Sequence, residues 1–470
     1  MRLAGEPMEI ELAALNGGSE TSVRRREVSV EEVWQEVGIG RFQYCLFLIA
    51  GLGFTADSIE VGVITFLEYE AREHFTGRMA CEPWQISFLG TIIFFGQLCS
   101  VFIWGPLSDR IGRKQTFIWS NLALVVFGVS SAFAPSFWWL ATFRGLVGLA
   151  IGGIVVPFDI LVESVPQQHA PMLGYAMEFF WTAGTLFVAG CAGALLNSDE
   201  KLHGFEPWRL FVLLTASPIF ISWVCSMFIL ESPAFLSEVG RTEEAMEVLR
   251  KAGETNGVRL PDDICLVRKV HAAPGFGELF RSKFSRRTLM LAIMWWLSIF
   301  GYYGASFANG QIFSGGGTLD IAEIIFSNSG EVIAIMTAVF LVNRVDLMPI
   351  LCMFFAIATF GCSLLSGVLF LGMDVPKAVL GALAFFLRIG CMGGASGVWV
   401  VTPLAYPTYI TSTAHGFHFG MGRIGGVSAT LFPVTTPGWV LMLCFAAANA
   451  VCLVVSLFDL NPNPSDENSA

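Results

Sequence analysis

Seven charged side chains stand well away from the ends of long apolar runs in this 470-residue chain: Asp57, Glu60, Arg144, Glu178, Glu331, Arg388 and Arg423. A charge held in lipid costs roughly 2.5–3.5 kcal/mol on insertion scales, so each needs a partner or a task. Asp57 and Glu60 are three apart and share a helical face. Counted along their runs, both reach the depth of Arg144, in the half of the membrane away from the N terminus. One reading is a static ion pair that locks two helices. In the other, one carboxylate pairs with Arg144. The second, desolvated and repelled by the first, is then left to exchange a proton or bind a cation.

Glu178 lies early in its run, close to Trp181. That depth suits a side chain snorkelling to the nearer interface or serving a gate. A solute-facing role is the alternative, with Trp181 offering a cation–π face. Glu331, Arg388 and Arg423 are the second half's counterparts, each near mid-run. Either Glu331 neutralises one arginine while the other sits against backbone carbonyls, or an acidic wall faces a basic wall. A cavity with two such walls suits a small zwitterion or organic ion. Tyr302 and Tyr303 either pack or add an aromatic wall with hydroxyls. His415 and His418, at the edge of a late run, read as hydrogen-bonded packing residues.

The elements that position these groups are membrane helices. Hydrophobic residues make up 54% of the chain and charged ones 14%, against about 25% charged in soluble domains. A bilayer core of about 30 Å takes about 20 apolar residues as helix. Runs of that length fall at about 43–68, 84–104, 116–134, 137–162, 173–196, 208–230, 287–312, 322–342, 348–371, 376–403, 412–433 and 437–459. The fold class is therefore all-α, with 12 transmembrane helices, and the even count puts both termini on one side. Of the 27 Lys and Arg, the exterior segments hold only Arg72, Arg78, Lys201, Arg209 and Lys377. Arg144, Arg388 and Arg423 lie within runs, and the rest fall on the other side. This asymmetry predicts cytoplasmic N and C termini.

The organisation that follows is a cytoplasmic N-terminal segment (1–40), a six-helix bundle (41–230), a cytoplasmic linker (231–286), a second six-helix bundle (287–460) and a tail (461–470). Residues 1–26 read as disordered. Val28–Val37 reads as an amphipathic helix with Val28, Val30, Val33 and Trp34 on its apolar face. In the linker, Thr242–Lys251 reads as a soluble helix capped by Thr242 and supported by a Glu247–Lys251 pair. The polar first 40 residues lack the apolar core of a cleavable signal.

Enzyme chemistry is not expected. The chain has no Walker loop, no Gly-x-Ser-x-Gly and no cluster with metal-ligand spacing, so neither metal nor cofactor is expected. The 11 cysteines form no Cys-x-x-Cys and mostly lie in apolar runs, as packing residues do. The net charge of −11 is spread over loops and tails; no basic cluster suits nucleic acid.

One stretch is more specific: Gly105-Pro-Leu-Ser-Asp-Arg-Ile-Gly-Arg-Lys114. Apolar runs bracket it, and Gly105-Pro106 suits a tight turn between two helices. Topology alone asks for cations there, but not for Gly105, Asp109, Arg110, Gly112 and Arg113 in this order. The order resembles the loop between helices 2 and 3 of the major facilitator superfamily. The two halves also echo each other. Arg144 leads through Gly145, Gly148, Gly152 and Gly153 to Pro157, and Arg388 leads through Gly390, Gly393, Gly394 and Gly397 to Pro403. Such internal repeats mark a pseudo-twofold transporter.

Further stretches narrow the resemblance: Asp57-Ser-Ile-Glu60, Glu231-Ser-Pro233, Tyr302-Tyr-Gly304, Tyr406-Pro-Thr408 and Gly420-Met-Gly-Arg423. Together they are similar to the synaptic-vesicle-glycoprotein-related branch, itself akin to organic-ion and nicotinate-type carriers. The resemblance implies two pseudo-symmetric six-helix bundles and alternating access. It also implies a cytoplasmic latch of Asp109, Arg113, Glu163 and Glu231 in the first half. The second-half copy is eroded: Asn343-Arg-Val-Asp-Leu-Met348 replaces the motif, and Leu404 stands where Glu is usual. An easier route to the inward-open state is expected.

The function expected is secondary transport of a small organic ion or zwitterion, with Asp57 or Glu60 as a proton-linked carboxylate. The expected partners are that solute, protons and the lipid bilayer, with the chain acting as a monomer in a plasma or vesicle membrane. A non-transporting receptor or trafficking protein that kept the fold is one alternative, and a passive facilitator another.

Overall fold

The computed structural model describes residues 26–76, 83–196, 205–267, 276–281, 283–312, 314–315, 318–319, 321–373, 375–406, 408–431 and 436–458. Residues 1–25, the tail and Arg78 and Lys201, two of the cations expected on the exterior side, lie outside them, as does the side chain of Arg72.

The chain opens on β1 (Arg26–Val28) and α1 (Val30–Val37), then builds the first bundle from α2 (Arg41–Thr76), α3 (Pro83–Ile111), α4 (Arg113–Ala132), α5 (Phe137–Ile151), α6 (Val156–Glu163), α7 (Ala170–Leu195) and α8 (Pro207–Ser226). A 3₁₀ turn, Gly152–Val155, joins α5 to α6 into one span. The linker holds α9 (Pro233–Glu238), α10 (Thr242–Asn256) and β2 (Ile264–Leu266). The second bundle is α11 (Ser285–Ile312), α12 (Ile321–Leu341), α13 (Leu347–Phe370), α14 (Lys377–Leu404), α15 (Thr408–Thr430) and α16 (Gly438–Ser456). Among the described residues 11 helical spans are long and apolar enough to cross a membrane. The polar-interrupted α15, carrying His415, His418 and Arg423, makes the twelfth.

The glycine runs let helices touch backbone to backbone. A Cβ on Gly148 of α5 would collide with the Ile93 carbonyl of α3. Gly390 of α14 meets Ala358 of α13 in the same way. Between the bundles α3 packs on α15 and α7 on α12.

The loop motif differs from its expected form. Gly105 and Pro106 are helical, and α3 runs through them to Ile111. A proline deletes one helical hydrogen bond, and the remaining turns carry the helix past it. The whole reversal falls on Gly112, at φ +98°, a region that L side chains rarely adopt.

From Arg26 on, the stretch before α2 is packed as well. β1 pairs in parallel with β2, Arg26 opposite Ile264 and Val28 opposite Leu266. Ser29 and Glu32 form a reciprocal capping box at the start of α1. The apolar face of α1 meets protein, not lipid: Val33, Trp34 and Val37 join Phe235, Leu249 and Leu260 in a small core separate from that of the bundles. Asn256, the last residue of α10, ties this unit to α2. Its amide donates to Gln43 Oε1 at 2.8 Å, and its Oδ1 accepts from the Phe42 N–H at 2.9 Å.

The cap of α10 is also not as expected. Arg241, not Thr242, holds the cap position and makes no capping bond with its side chain. Gly240, at φ +81°, turns the chain out of α9 so that helical geometry begins at Thr242. The Glu247–Lys251 pair forms, at 2.8 Å.

Candidate functional site

Asp57 and Glu60 part company. Three residues turn an α-helix through about 300°, leaving the two side chains about 60° apart. Glu60 points into its own bundle, where Oε2 lies 2.7 Å from Arg144 Nη1. Arg144, fully buried, also donates to Ser131 Oγ. Gly128 leaves the room that this carboxylate fills, since a Cβ there would lie 2.6 Å from Glu60 Oε1.

Asp57 points at the other bundle. Its Oδ2 lies 3.5 Å from Arg423 Nη2 of α15. Arg423 lies 3.3 Å from the Tyr303 hydroxyl and stacks over the Phe419 ring at 4.2 Å. The expected alternatives for the second arginine (backbone carbonyls, or one face of a basic wall) are both replaced by this pair. The leftover acid on α2 is therefore not left over.

Glu331 and Arg388 form a second buried pair, inside the second bundle. Arg388 also donates to Ser306 Oγ and lies over the Tyr302 ring at 4.6 Å. Two consecutive residues of α7 reach across to this pair. Trp181 Nε1 donates to the Tyr302 hydroxyl at 2.6 Å, and that hydroxyl donates to Glu331 Oε1 at 2.8 Å. Thr182 Oγ1 donates to Glu331 Oε2 at 2.9 Å. The ring of bonds closes over both bundles.

The cavity between them is narrow, about 40 Å³, room for a few waters, so the two bundles must part before an organic solute fits. Asp57, Glu178, Trp181, Tyr302, Tyr303 and Arg423 are on its wall. Toward the linker end, Phe54, Phe158, Trp295 and Trp399 close it: Trp399 meets Phe54 and Phe158 edge-on, and the Phe54–Phe158 and Trp295–Trp399 contacts are tilted. On the far side Trp181, Tyr302 and Tyr303 separate it from a second narrow chamber, also of about 40 Å³. That chamber is lined by Ser58, Thr185, Ser306, Asn328 and Arg388.

Of the two readings of Glu178, the geometry agrees with the solute-facing one: α7 carries it into the cavity beside Trp181. It is 7% exposed, and its carboxylate makes no hydrogen bond or ion pair among the described residues. His418 behaves as expected of a packing residue, its ring nitrogens 2.6 Å and 3.1 Å from the carbonyls of Ala414 and Thr288.

At the linker end, Arg113 Nη2 meets Glu163 Oε1 at 3.0 Å, and Ser232 Oγ donates to Glu163. Glu231 accepts the Arg113 and Lys114 N–H groups at 2.9 Å and 3.1 Å. A carboxylate thus caps the positive end of α4. A Cβ on Gly112 would collide with this carboxylate, so Gly112 is demanded by space as well as by φ. Asp109 and Arg110 do not join the latch. Both are exposed and make no ion pair among the described residues, because the helical run to Ile111 turns them outward. In the second half Arg344 folds back on its own helix, over the Phe340 ring at 3.9 Å and bonded to its carbonyl.

Sequence reasoning missed Ser131, Thr182, Trp295 and Trp399. Thr182 was adjacent to a named residue. The two tryptophans carried no signal, since an aromatic in a membrane helix is most often packing.

Twelve helices in two halves, with charged side chains converging on a closed cavity between them, define a membrane transporter of the major facilitator fold. The chain belongs to the sugar (and other) transporter family, which it matches over residues 46–460. It is 26% identical over 451 residues to the synaptic vesicle 2-related protein of Rattus norvegicus, covering 91% of this chain and 79% of that one. It is 27% identical over 405 residues to the niacin transporter NiaP of Acinetobacter baylyi, covering 84% and 88%. Among solved structures, the partially occluded inward-open xylose transporter XylE from E. coli superposes with a TM-score of 0.70. That likeness covers 88% of this chain and 96% of XylE at 14% identity, and concerns the fold.

Proposed function

We propose that this transporter carries a small organic ion or zwitterion by alternating access, coupled to protons through Asp57. The observation that carries the reading is the Asp57–Arg423 pair. It is buried, lines the cavity and joins one half to the other. An ionised Asp57 holds Arg423 and keeps the halves together. A protonated Asp57 releases it, and a solute can take its place. Glu60 is set aside as the coupling group, because Arg144 and Ser131 already hold its pair inside one bundle.

Around that pair, Glu178, Trp181, Tyr302 and Tyr303 face the solute. The Glu331–Arg388 pair with Thr182 gates the far chamber. With both termini cytoplasmic, Arg113, Glu163 and Glu231 latch the cytoplasmic side. The thinner contacts of Arg344 and Leu404 in the second half favour opening toward the cytoplasm. Similarity to synaptic vesicle 2-related proteins supports a vesicle membrane over the plasma membrane. The niacin transporter among the relatives supports an organic ion as cargo.

The test is reconstitution in liposomes loaded with a pH dye, screened with organic cations, zwitterions and organic anions. Solute-driven proton flux that is lost in Asp57→Asn and kept in Glu60→Gln is expected. Solute uptake with no proton movement would instead show a passive facilitator. No uptake of any class would favour a binding protein that kept the fold.

A further inference from the structure

We propose that the cavity selects a monovalent organic cation, and that Glu178 is the residue that receives it. The inference deepens the carrier reading, on which it rests for the route into the cavity, by assigning the charge class of the cargo. It starts from the charges around the site. Glu60 is matched by Arg144, Glu331 by Arg388 and Asp57 by Arg423. Glu178 alone of the four acids carries no matching base among the described residues, and it is 7% exposed on the cavity wall. A carboxylate held in a largely apolar site stabilises an incoming cation far more than it would in water.

The walls suit the same guest. Trp181, Trp295 and Trp399 line the cavity with Glu178. The site already stacks cations on rings: Arg423 over Phe419 at 4.2 Å and Arg388 over Tyr302 at 4.6 Å. The bond from Trp181 Nε1 to the Tyr302 hydroxyl at 2.6 Å fixes that indole in place. A preset tryptophan beside an unmatched carboxylate gives an organic cation both a cation–π face and a counter-charge. An anion would meet Glu178 and Asp57 as repulsion, and would have to take Arg423 away from Asp57.

One ring in three charge states tests this. 1-Methylnicotinamide is a cation, nicotinamide is neutral and nicotinate is an anion. Binding of each to purified full-length protein would be measured by equilibrium dialysis, which needs no transport. The expected order is cation over neutral by about tenfold or more, with the anion weakest. Glu178→Gln should weaken the cation about tenfold or more and leave nicotinamide unchanged, while Glu178→Asp keeps part of the cation's advantage. The thermal melt of each variant in detergent, read beside the dialysis, shows that it is folded. The proposal is overturned if nicotinate binds as tightly as the cation, if Glu178→Gln does not distinguish them, or if the cation fails to bind at millimolar concentration. Cation binding without liposome uptake would sink the carrier reading and uphold the cation site. Nicotinate uptake without cation binding would do the reverse.

Discussion

Asp57 Oδ2 and Arg423 Nη2 lie 3.5 Å apart although 366 residues separate them in the chain. Of the three arginine–carboxylate pairs inside the membrane, this one joins the two halves, while Glu60–Arg144 and Glu331–Arg388 each stay within one. A pair that must break when the halves part belongs to the cycle. A pair that travels with its own bundle belongs to the scaffold.

That distinction separates two sets of mutants. Removing one partner of a buried pair costs about 3–5 kcal/mol, whereas replacing both with apolar residues is often neutral. Glu60→Gln should therefore lower the unfolding temperature in detergent, and Glu60→Met with Arg144→Leu should restore it. The Asp57–Arg423 pair is longer, 3.5 Å against 2.7 Å, and lies on the cavity wall, so Asp57→Asn should change the melt less than Glu60→Gln while abolishing proton flux. Equal melting losses for Asp57→Asn and Glu60→Gln would erase the distinction.

Gly105 and Gly112 share one motif and should respond differently. Nothing lies within 4 Å of a Cβ placed on Gly105, which sits in a helix. Gly105→Ala should be neutral or stabilising by up to about 1 kcal/mol. Gly112→Ala meets both a positive φ and the Glu231 carboxylate. It should cost at least about 1–3 kcal/mol and lower transport. Melting curves of the two variants read this directly; similar melts would contradict it.

Asn256 should control access to the N-terminal segment. It bonds to Phe42 N and Gln43 Oε1, and its amide group occupies the space that a Cβ on Gly40 would need. Asn256→Ala should speed tryptic cleavage at Arg259 and Arg26 by about fivefold or more, without changing cleavage elsewhere, since such local openings report local stability. Unchanged cleavage would mean that the strand pair and the α1 core hold the unit without Asn256.

The unequal latches predict a bias. Arg113 has Glu163, whereas Arg344 turns back on Phe340 and Leu404 is 40% exposed. A cysteine at the linker end of the cavity, placed at Phe158, should react with a membrane-impermeant maleimide faster in the native protein than in a Leu404→Glu variant. A faster reaction in the Leu404→Glu protein would reverse the bias.

The helices were legible because apolar run length is a one-dimensional property, and the linker pair Glu247–Lys251 because it is local. The charged residues were legible as costly groups, but their partners were not. Asp57 finds Arg423 through the packing of two bundles, which no spacing encodes. Depth counted along a helix could not choose between the two readings of Glu178, because the count ignores which way the helix faces. The turn was read one element too wide: Gly-Pro composition pointed to Gly105, while the conformation that needs glycine falls at Gly112.

Alternating access itself is tested most directly at Thr91 and Thr430, whose hydroxyls meet 3.0 Å apart across α3 and α15 on the side away from the linker. Thr91→Cys with Thr430→Cys, oxidised to a disulfide in liposomes, should stop counterflow of a transported organic ion. Reduction should restore it, and wild type under the same oxidant should be unaffected. Counterflow that continues through the cross-linked protein would show that these halves do not part during transport, and would contradict the account.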